Sequence, residues 1–272
     1  MANQTNRRNF LVSLGAVAVT SGLSSRGAVK AQPKTFKPRL RFAIASDGHF
    51  GQEGTNYQRF HNELIEWIND EHAGKGLDFM VFNGDLIHND PALLPELKTY
   101  YDRLAMPYYV VKGNHDMAED DHWTSFWGME PNYSFSKQDY GFIFAYTSNP
   151  EGKYLCADTS WLKKEITRLQ AYKGIFAFMH IPQSKVTRHS ISCGEVEKLL
   201  CGSEKIKAVF HGHDHDIDNK IYVGGKPFFF DGHMGGSWGT NYRGYRIVEL
   251  YDDEAVTYQC NPAAFYENVN TI

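Results

Sequence analysis

Five short segments of this 272-residue chain carry side chains suited to binding cations and moving protons. They are Asp47-Gly48-His49, Gly84-Asp85, Gly113-Asn114-His115-Asp116, the single His180, and Gly212-His213-Asp214-His215. Carboxylate, amide and imidazole supply oxygen and nitrogen donors without thiolate, a set that suits Mn, Fe, Zn or similar ions. A carboxylate can bridge two such ions and an imidazole cannot. An aspartate between histidines is therefore what a pair of ions about 3.5–4 Å apart requires. Glycines 84, 113 and 212 allow tight backbone turns beside these side chains.

The segments need a scaffold, because Asp47 and His215 stand 168 positions apart. Each follows a short apolar run: Leu40 to Ala45, Leu77 to Phe82, Tyr108 to Val111, Ile175 to Met179 and Ile206 to Phe210. Nearly continuous apolar runs of this length read as strands buried on both faces. Tyr57 to His72, Pro91 to Leu104 and Ser160 to Leu169 have helical apolar spacing and are expected as amphipathic helices. After Phe210 come shorter runs broken by glycine, Lys220 to Val223, Pro227 to Phe230, Arg243 to Tyr251 and Ala255 to Gln259, which predict antiparallel strands. Alternating strand and helix followed by a β-rich part imply an α/β sandwich with sheets inside and helices outside. Ligands in such sheets bind at the carboxyl ends of the strands, where the five polar segments fall.

The ordered set Asp-x-His, Gly-Asp, Gly-Asn-His-Asp, His, Gly-His-x-His resembles the calcineurin-like metallophosphoesterase signature and spans residues 47–215. The pattern around Gly84-Asp85-Leu86 and Gly113 to Asp116 looks closer to the class III cyclic nucleotide phosphodiesterase branch. The resemblance implies an α/β fold, a four-layer αββα sandwich of two mixed β-sheets flanked by helices, over a single domain at 40–272 with a β-rich part from about 217. It implies two divalent or trivalent ions (Mn, Fe or Zn), one held by Asp47, His49 and His215, the other by Asn114, His180 and His213, with Asp85 bridging. His115 would protonate the leaving oxygen, and Asp116 would orient His115 by a hydrogen bond. The implied chemistry is in-line attack of a hydroxide bridging the two metals on a phosphate ester, a diester in preference. An uncharged carbonyl substrate gains less from so much positive charge. In purple acid phosphatases a tyrosine stands three residues after the bridging aspartate. Here that position is His88, which argues against a tyrosine-ligated iron site.

Residues 1–31 contain Arg7, Arg8, Arg26 and Lys30, no acid, and an apolar run from Phe10 to Val19, the layout of a signal peptide. Arg7-Arg8-Asn9-Phe10-Leu11 resembles a twin-arginine export signal. The expectation is a leader at 1–31, a linker at 32–39, and export to a periplasmic or extracellular location. The run is too short to span a membrane. Loss of the leader removes four of the 28 basic residues and none of the 32 acidic ones, leaving 24 against 32, a net charge of −8. A surface of that sign repels polyanions, so a small phosphorylated substrate is expected and long nucleic acid is not. Cys156, Cys193, Cys201 and Cys260 lack the two-residue spacing of zinc knuckles. A Cys193 to Cys201 bridge and buried thiols both remain open.

Other residues near the segments have a plainer reading. His88, His122, His211 and His233 are more often support or solvated groups than substrate contacts. The alternation of Asp214 and Asp216 with the histidines points them away from the metals. Met117 to Trp127 reads equally as a specificity lid or as a surface helix with a buried aromatic stripe. Gly232 to Gly244 reads as a glycine-rich strand connection, against the alternative that it folds over the site with Trp238 on a base and Arg243 on phosphate. A phosphomonoesterase, or a metal-binding scaffold without catalysis, are the competing functions. Retention of every ligand and of His115 favours an enzyme.

Overall fold

The apolar runs fold as strands, and the carboxyl ends of the parallel ones gather at one end of the molecule. This computed structural model describes residues 37–262 and 266–271. The expected leader at 1–31 lies outside the described residues, as does the linker up to residue 36.

Two six-stranded sheets are present among the described residues. The first contains β1 (Leu40–Ala45), β2 (Phe79–Asn83), β3 (Tyr108–Val111), β10 (Tyr245–Leu250), β11 (Ala255–Asn261) and β12 (Tyr266–Thr271), in the order β12-β11-β10-β1-β2-β3. The second contains β4 (Tyr133–Lys137), β5 (Tyr140–Phe144), β6 (Gly174–Phe178), β7 (Ile206–His211), β8 (Asp218–Val223) and β9 (Lys226–Asp231), in the order β4-β5-β6-β7-β9-β8. Strands β1, β2 and β3 are parallel, as are β5, β6, β7 and β9. The antiparallel expectation for the strands after Phe210 is thus corrected at β9, which lies parallel to β7 with Val209 opposite Phe228 and antiparallel only to β8.

Helices α1 (Tyr57–Lys75), α2 (Leu94–Tyr101) and α3 (Asp120–Trp127) pack on the first sheet, and α4 (Thr159–Arg168) and α5 (Gly194–Gly202) on the second. The single helix expected over Pro91 to Leu104 is a short 3-10 turn followed by α2. Pro95 in the first turn of α2 has no N–H to continue a ladder from the residues before it. Helix α3 buries Trp123 and Trp127 in the helix-side core, so Met117 to Trp127 contains the aromatic-striped helix rather than a lid.

Strand alternation sorts the core into three layers. Along β1, Ala43 and Ala45 face the helices, whereas Phe42 and Ile44 face the other sheet. The inter-sheet layer is rich in phenylalanine: Phe79, Phe142, Phe144, Phe176, Phe178, Phe210 and Phe229 join Phe42 there. Each buried ring contributes about 1.5–3 kcal/mol, and stacked or edge-on pairs such as Phe144 with Phe178 at 4.8 Å add specificity of fit. The result is the expected four-layer αββα sandwich. No helix of the described residues is long and apolar enough to cross a membrane.

The cysteine pairing left open by the sequence is an arrangement that neither alternative named. Cys193 is bonded to Cys156, not to Cys201, whose thiol donates to the Val223 carbonyl. The bridge ties the loop after β5 to the segment before α5 across 37 positions. Closing a loop of that size contributes about 2–4 kcal/mol through the unfolded chain. Cys156→Ser is therefore expected to lower the melting temperature by roughly 5–10 °C. A reductant should lower that of the wild type equally and leave the variant unmoved in a thermal melt. A wild type indifferent to reductant would contradict the bridge.

Candidate metal centre

Turns at the ends of the parallel strands bring the expected ligands together. Asp47 and His49 follow β1, Asp85 follows β2, Asn114 follows β3, His180 follows β6, and His213 and His215 follow β7. One atom each from Asp47, His49 and His215 lies within 4.8 Å of the others, and the same holds for Asp85, His180 and His213. The first is the set the resemblance implies for one ion; the second joins the implied bridging Asp85 to two of the three residues implied for the other, Asn114 being the third. The two sets touch: Asp85 Oδ2 is 3.1 Å from His180 Nε2 and 3.8 Å from His49 Nε2, so it faces an imidazole of each.

The backbone is held in uncommon geometry to achieve this. Four of the seven non-glycine residues with positive φ among the described residues are Asp47 (59°), His49 (44°), Asp85 (52°) and His213 (69°). Aspartate and histidine tolerate this region better than most residues, but each instance costs of order 1–3 kcal/mol, and such strain concentrates at functional sites. Gly84 has φ 91°, and a Cβ there would lie 2.4 Å from the His180 ring. A Cβ on Gly212 would lie 2.5 Å from Asp47 Oδ2. At Gly212 the need is therefore for close approach rather than for a special turn.

Hydrogen bonds fix which imidazole nitrogen faces the centre. His180 donates Nδ1–H to the Asn83 carbonyl at 2.8 Å, and His215 donates Nδ1–H to the Trp238 carbonyl at 3.1 Å. Nε2 is thus the nitrogen each ring turns inward, the one that would ligate a metal with its proton displaced. His49 has the same orientation, its Nδ1 3.1 Å from His88 Nδ1 and its Nε2 3.0 Å from that of His215. Asn114 Oδ1 and His213 Nε2 are buried without a hydrogen bond, whereas His180 Nε2 has the Asp85 carboxylate beside it. A buried polar atom without a partner costs about 1–3 kcal/mol, and two from neighbouring turns fit a cation that would satisfy them together.

The electrostatics agree. Burial works against ionisation of Asp47 and Asp85, yet His215 and His180 outweigh it and hold both carboxyls below the usual range. Burial also opposes charge on His180, but Asp85 and Asp47 push it up to about 10, and His215 is raised by Asp47 in the same way. At His49 and His213 burial dominates and lowers the values to about 3 and about 4. One imidazole of each set is thus driven to carry positive charge, at the two places where a cation would supply it.

Around this centre the structure revises several expectations. Asp116 does not bond His115. Its Oδ1 accepts from the Leu86 and Ile87 amides and its Oδ2 from Gly113, locking together the turns after β2 and β3. Burial, reinforced by the charge on Asp85, raises its pKa to about 7. Asn89 takes the expected role: His115 donates Nδ1–H to Asn89 Oδ1 at 2.7 Å, and the Asn89 amide donates to the His115 carbonyl at 2.8 Å. His88 stacks on His115 at 4.9 Å, and His49, His88 and His115 form a further close grouping. His211 is buried and donates to the Met179 carbonyl, and His122 lies on α3 beside Phe126. Asp214 accepts from Thr187, whereas Asp216 lines the cavity over the metal centre.

The segment Gly232 to Gly244 is no plain connection. It leaves β9 and runs across the site, with Met234 and Gly235 donating to the carbonyls of Ser46 and Asp47 and Thr240 donating to that of His215. Trp238 lies flat on His215, the rings 4.5 Å apart at 5°. Arg243 points elsewhere, pairing with Glu63 and lying over Phe60 of α1. The cavity over the centre measures about 380 Å³ and adds Tyr154 and His189, which the sequence patterns did not single out.

A two-layered β core with two adjoining sets of oxygen and nitrogen donors at its strand ends is suited to hold a pair of metal ions. The sequence pattern of the calcineurin-like phosphoesterase family matches residues 40–216, and the chain belongs to that family. A dimetal phosphatase from Danio rerio has a similar structure, with a TM-score of 0.69 at 14% identity over 86% of this chain and 99% of that one. The calcineurin-like phosphoesterase YfkN from Bacillus subtilis superposes with a TM-score of 0.46 at 15% identity, over 85% of this chain and 88% of that one. No curated protein matches the sequence significantly.

Proposed function

We propose that this chain is a two-metal phosphodiesterase in which Asp47, His49 and His215 hold one ion, Asn114, His180 and His213 the other, and Asp85 both. The observation that supports the ligand set most directly is the pair of buried, unpartnered atoms on Asn114 and His213 beside the Asp85–His180 pair. When bound, the ions supply Lewis acidity and an activated water for attack on phosphorus. The protein's own groups do the rest. His115 lines the cavity with Nδ1–H tied to Asn89, which leaves Nε2 to exchange a proton with the leaving oxygen. His88, stacked on it, limits its rotation. Gly84, Gly113 and Gly212 keep the ligand-bearing turns close enough to converge.

A diester is preferred in this reading because the cavity has room beyond a phosphate. A second cavity of about 530 Å³ shares Trp238 and Gly239 with it and gives space in which a second ester group could extend. Export through the twin-arginine leader belongs to the same proposal, and the Cys156–Cys193 bridge supports it, since such bonds persist in oxidising compartments.

The test is hydrolysis after metal stripping and Mn²⁺ add-back. Activity should return only with metal, and kcat/KM for bis(p-nitrophenyl) phosphate should exceed that for p-nitrophenyl phosphate by about tenfold or more. The opposite preference selects a phosphomonoesterase. Two bound ions with no turnover of either ester selects the scaffold.

A further inference from the structure

Within residues 37–262 four large hydrophobic side chains are exposed, and two of them, Tyr154 (40%) and Trp238 (44%), line the cavity over the metal centre. Each belongs to a different metal set. Trp238 lies flat on His215, and Tyr154 meets His213 edge-on at 4.8 Å. Both arrive by the same topology: Tyr154 follows the parallel strand β5 and Trp238 the parallel strand β9, so each loop is delivered to the carboxyl end of the second sheet.

The backbone under each ring is also anchored, and each ring packs on a histidine. The Trp238 carbonyl accepts from His215, and Thr240 donates back to the His215 carbonyl at 3.0 Å. Tyr154 is bridged to Ser148, Leu155 donates to the Thr147 carbonyl at 2.8 Å, and the Cys156–Cys193 bridge follows. An exposed aromatic ring held in one position loses little entropy on binding and presents a flat face to a flat partner. Neither ring is needed to fill the core, and neither carries a charge that a phosphate would seek.

We infer that Trp238 and Tyr154 are specificity residues that hold a planar aromatic substituent of the phosphate ester, so the substrates are aryl or nucleoside phosphodiesters rather than small aliphatic ones. This rests on the phosphoesterase reading above. Stacking of one flat ring is expected to give a preference of about tenfold.

Two measurements on the Mn²⁺-loaded chain test it. The first compares kcat/KM for the methyl, phenyl and thymidine-5′ esters of p-nitrophenyl phosphate, which share one leaving group. The second compares calorimetric affinities for phenylphosphonate and methylphosphonate. Wild type should favour phenyl over methyl by about tenfold in both. In Trp238→Ala and Tyr154→Ala the ratio should fall to within about twofold, and Trp238→Phe should restore it. A thymidine ester better than the phenyl ester identifies a nucleoside, and equal rates identify a plain aryl group; either upholds the flat ring. A merely structural role would weaken both phosphonates alike and leave the ratio intact, which overturns the inference. Turnover without any phenyl preference overturns it too while sparing the hydrolase reading. A phenylphosphonate preference without turnover of any ester sinks the hydrolase reading and keeps the aromatic subsite.

Discussion

Asp85→Asn is expected to reduce bound metal from two ions per chain to one at most, and to lower kcat/KM for the diester by about 10³-fold or more. Asp85 Oδ2 lies 3.1 Å from His180 and 3.8 Å from His49, one imidazole of each set, and Asp47 Oδ1, at 2.9 Å from His215 and 3.8 Å from His180, is the other carboxylate so placed. The amide preserves size and an oxygen acceptor for the His115 N–H, now 2.8 Å from Oδ1, so the turn after β3 should keep its shape. What is lost is the negative charge and the second strong donor. Charge stabilisation by a bound ion amounts to several kcal/mol, and each 1.36 kcal/mol is a factor of ten in rate. Metal content by plasma mass spectrometry after dialysis, with circular dichroism to confirm the fold, reads the outcome. Two ions retained at wild-type affinity would remove Asp85 from its bridging place.

Much of the centre was legible because its parts obey local rules. An apolar run followed by a donor side chain is readable at each of the five sites, with glycine between them at three, and β1 and β3 fall where the runs at Leu40 to Ala45 and Tyr108 to Val111 place them. The rest depended on pairing that no local pattern encodes. Tyr133 to Lys137 alternates serine with aromatics and lysine, and its role as the edge strand β4 follows only from its register against β5. That β9 runs parallel to β7 depends on which neighbour it finds, so the sequence pattern mistook its direction and with it the course of the loop that carries Trp238. Asp116 looked like a partner for the adjacent His115, yet adjacency in a turn points consecutive side chains apart. The hydrogen bond came instead from Asn89, which reaches His115 because both follow neighbouring parallel strands. The strain at Asp47, His49, Asp85 and His213 had no signal beyond residue type. It became visible only once the dihedrals were known.

His115→Ala is expected to retain both ions and to lose rate in proportion to how poor the leaving group is: by about 10²–10⁴ for an alkyl phosphodiester, and far less for a p-nitrophenyl ester. A nitrophenolate departs without protonation, whereas an alkoxide needs a proton in the transition state, so only the second reaction should feel the missing acid. The geometry singles out His115 for this because its Nδ1 is occupied by Asn89 while its ring borders the cavity. The same structure places His115 in a close grouping with His49 and His88, which makes the metal count decisive. Should His115→Ala shed an ion, the residue is a ligand and not an acid. Should it keep both ions and turn over the alkyl ester at the wild-type rate, the proton comes from elsewhere. Asn89→Leu extends the argument, since it removes the bond that aims His115 without removing the imidazole. It should lower kcat for the alkyl ester by a smaller factor and leave KM near its wild-type value, and Asn89→Asp, which restores an oxygen acceptor, should recover the loss. A fall confined to KM would mean that Asn89 contacts the substrate rather than aligning the histidine.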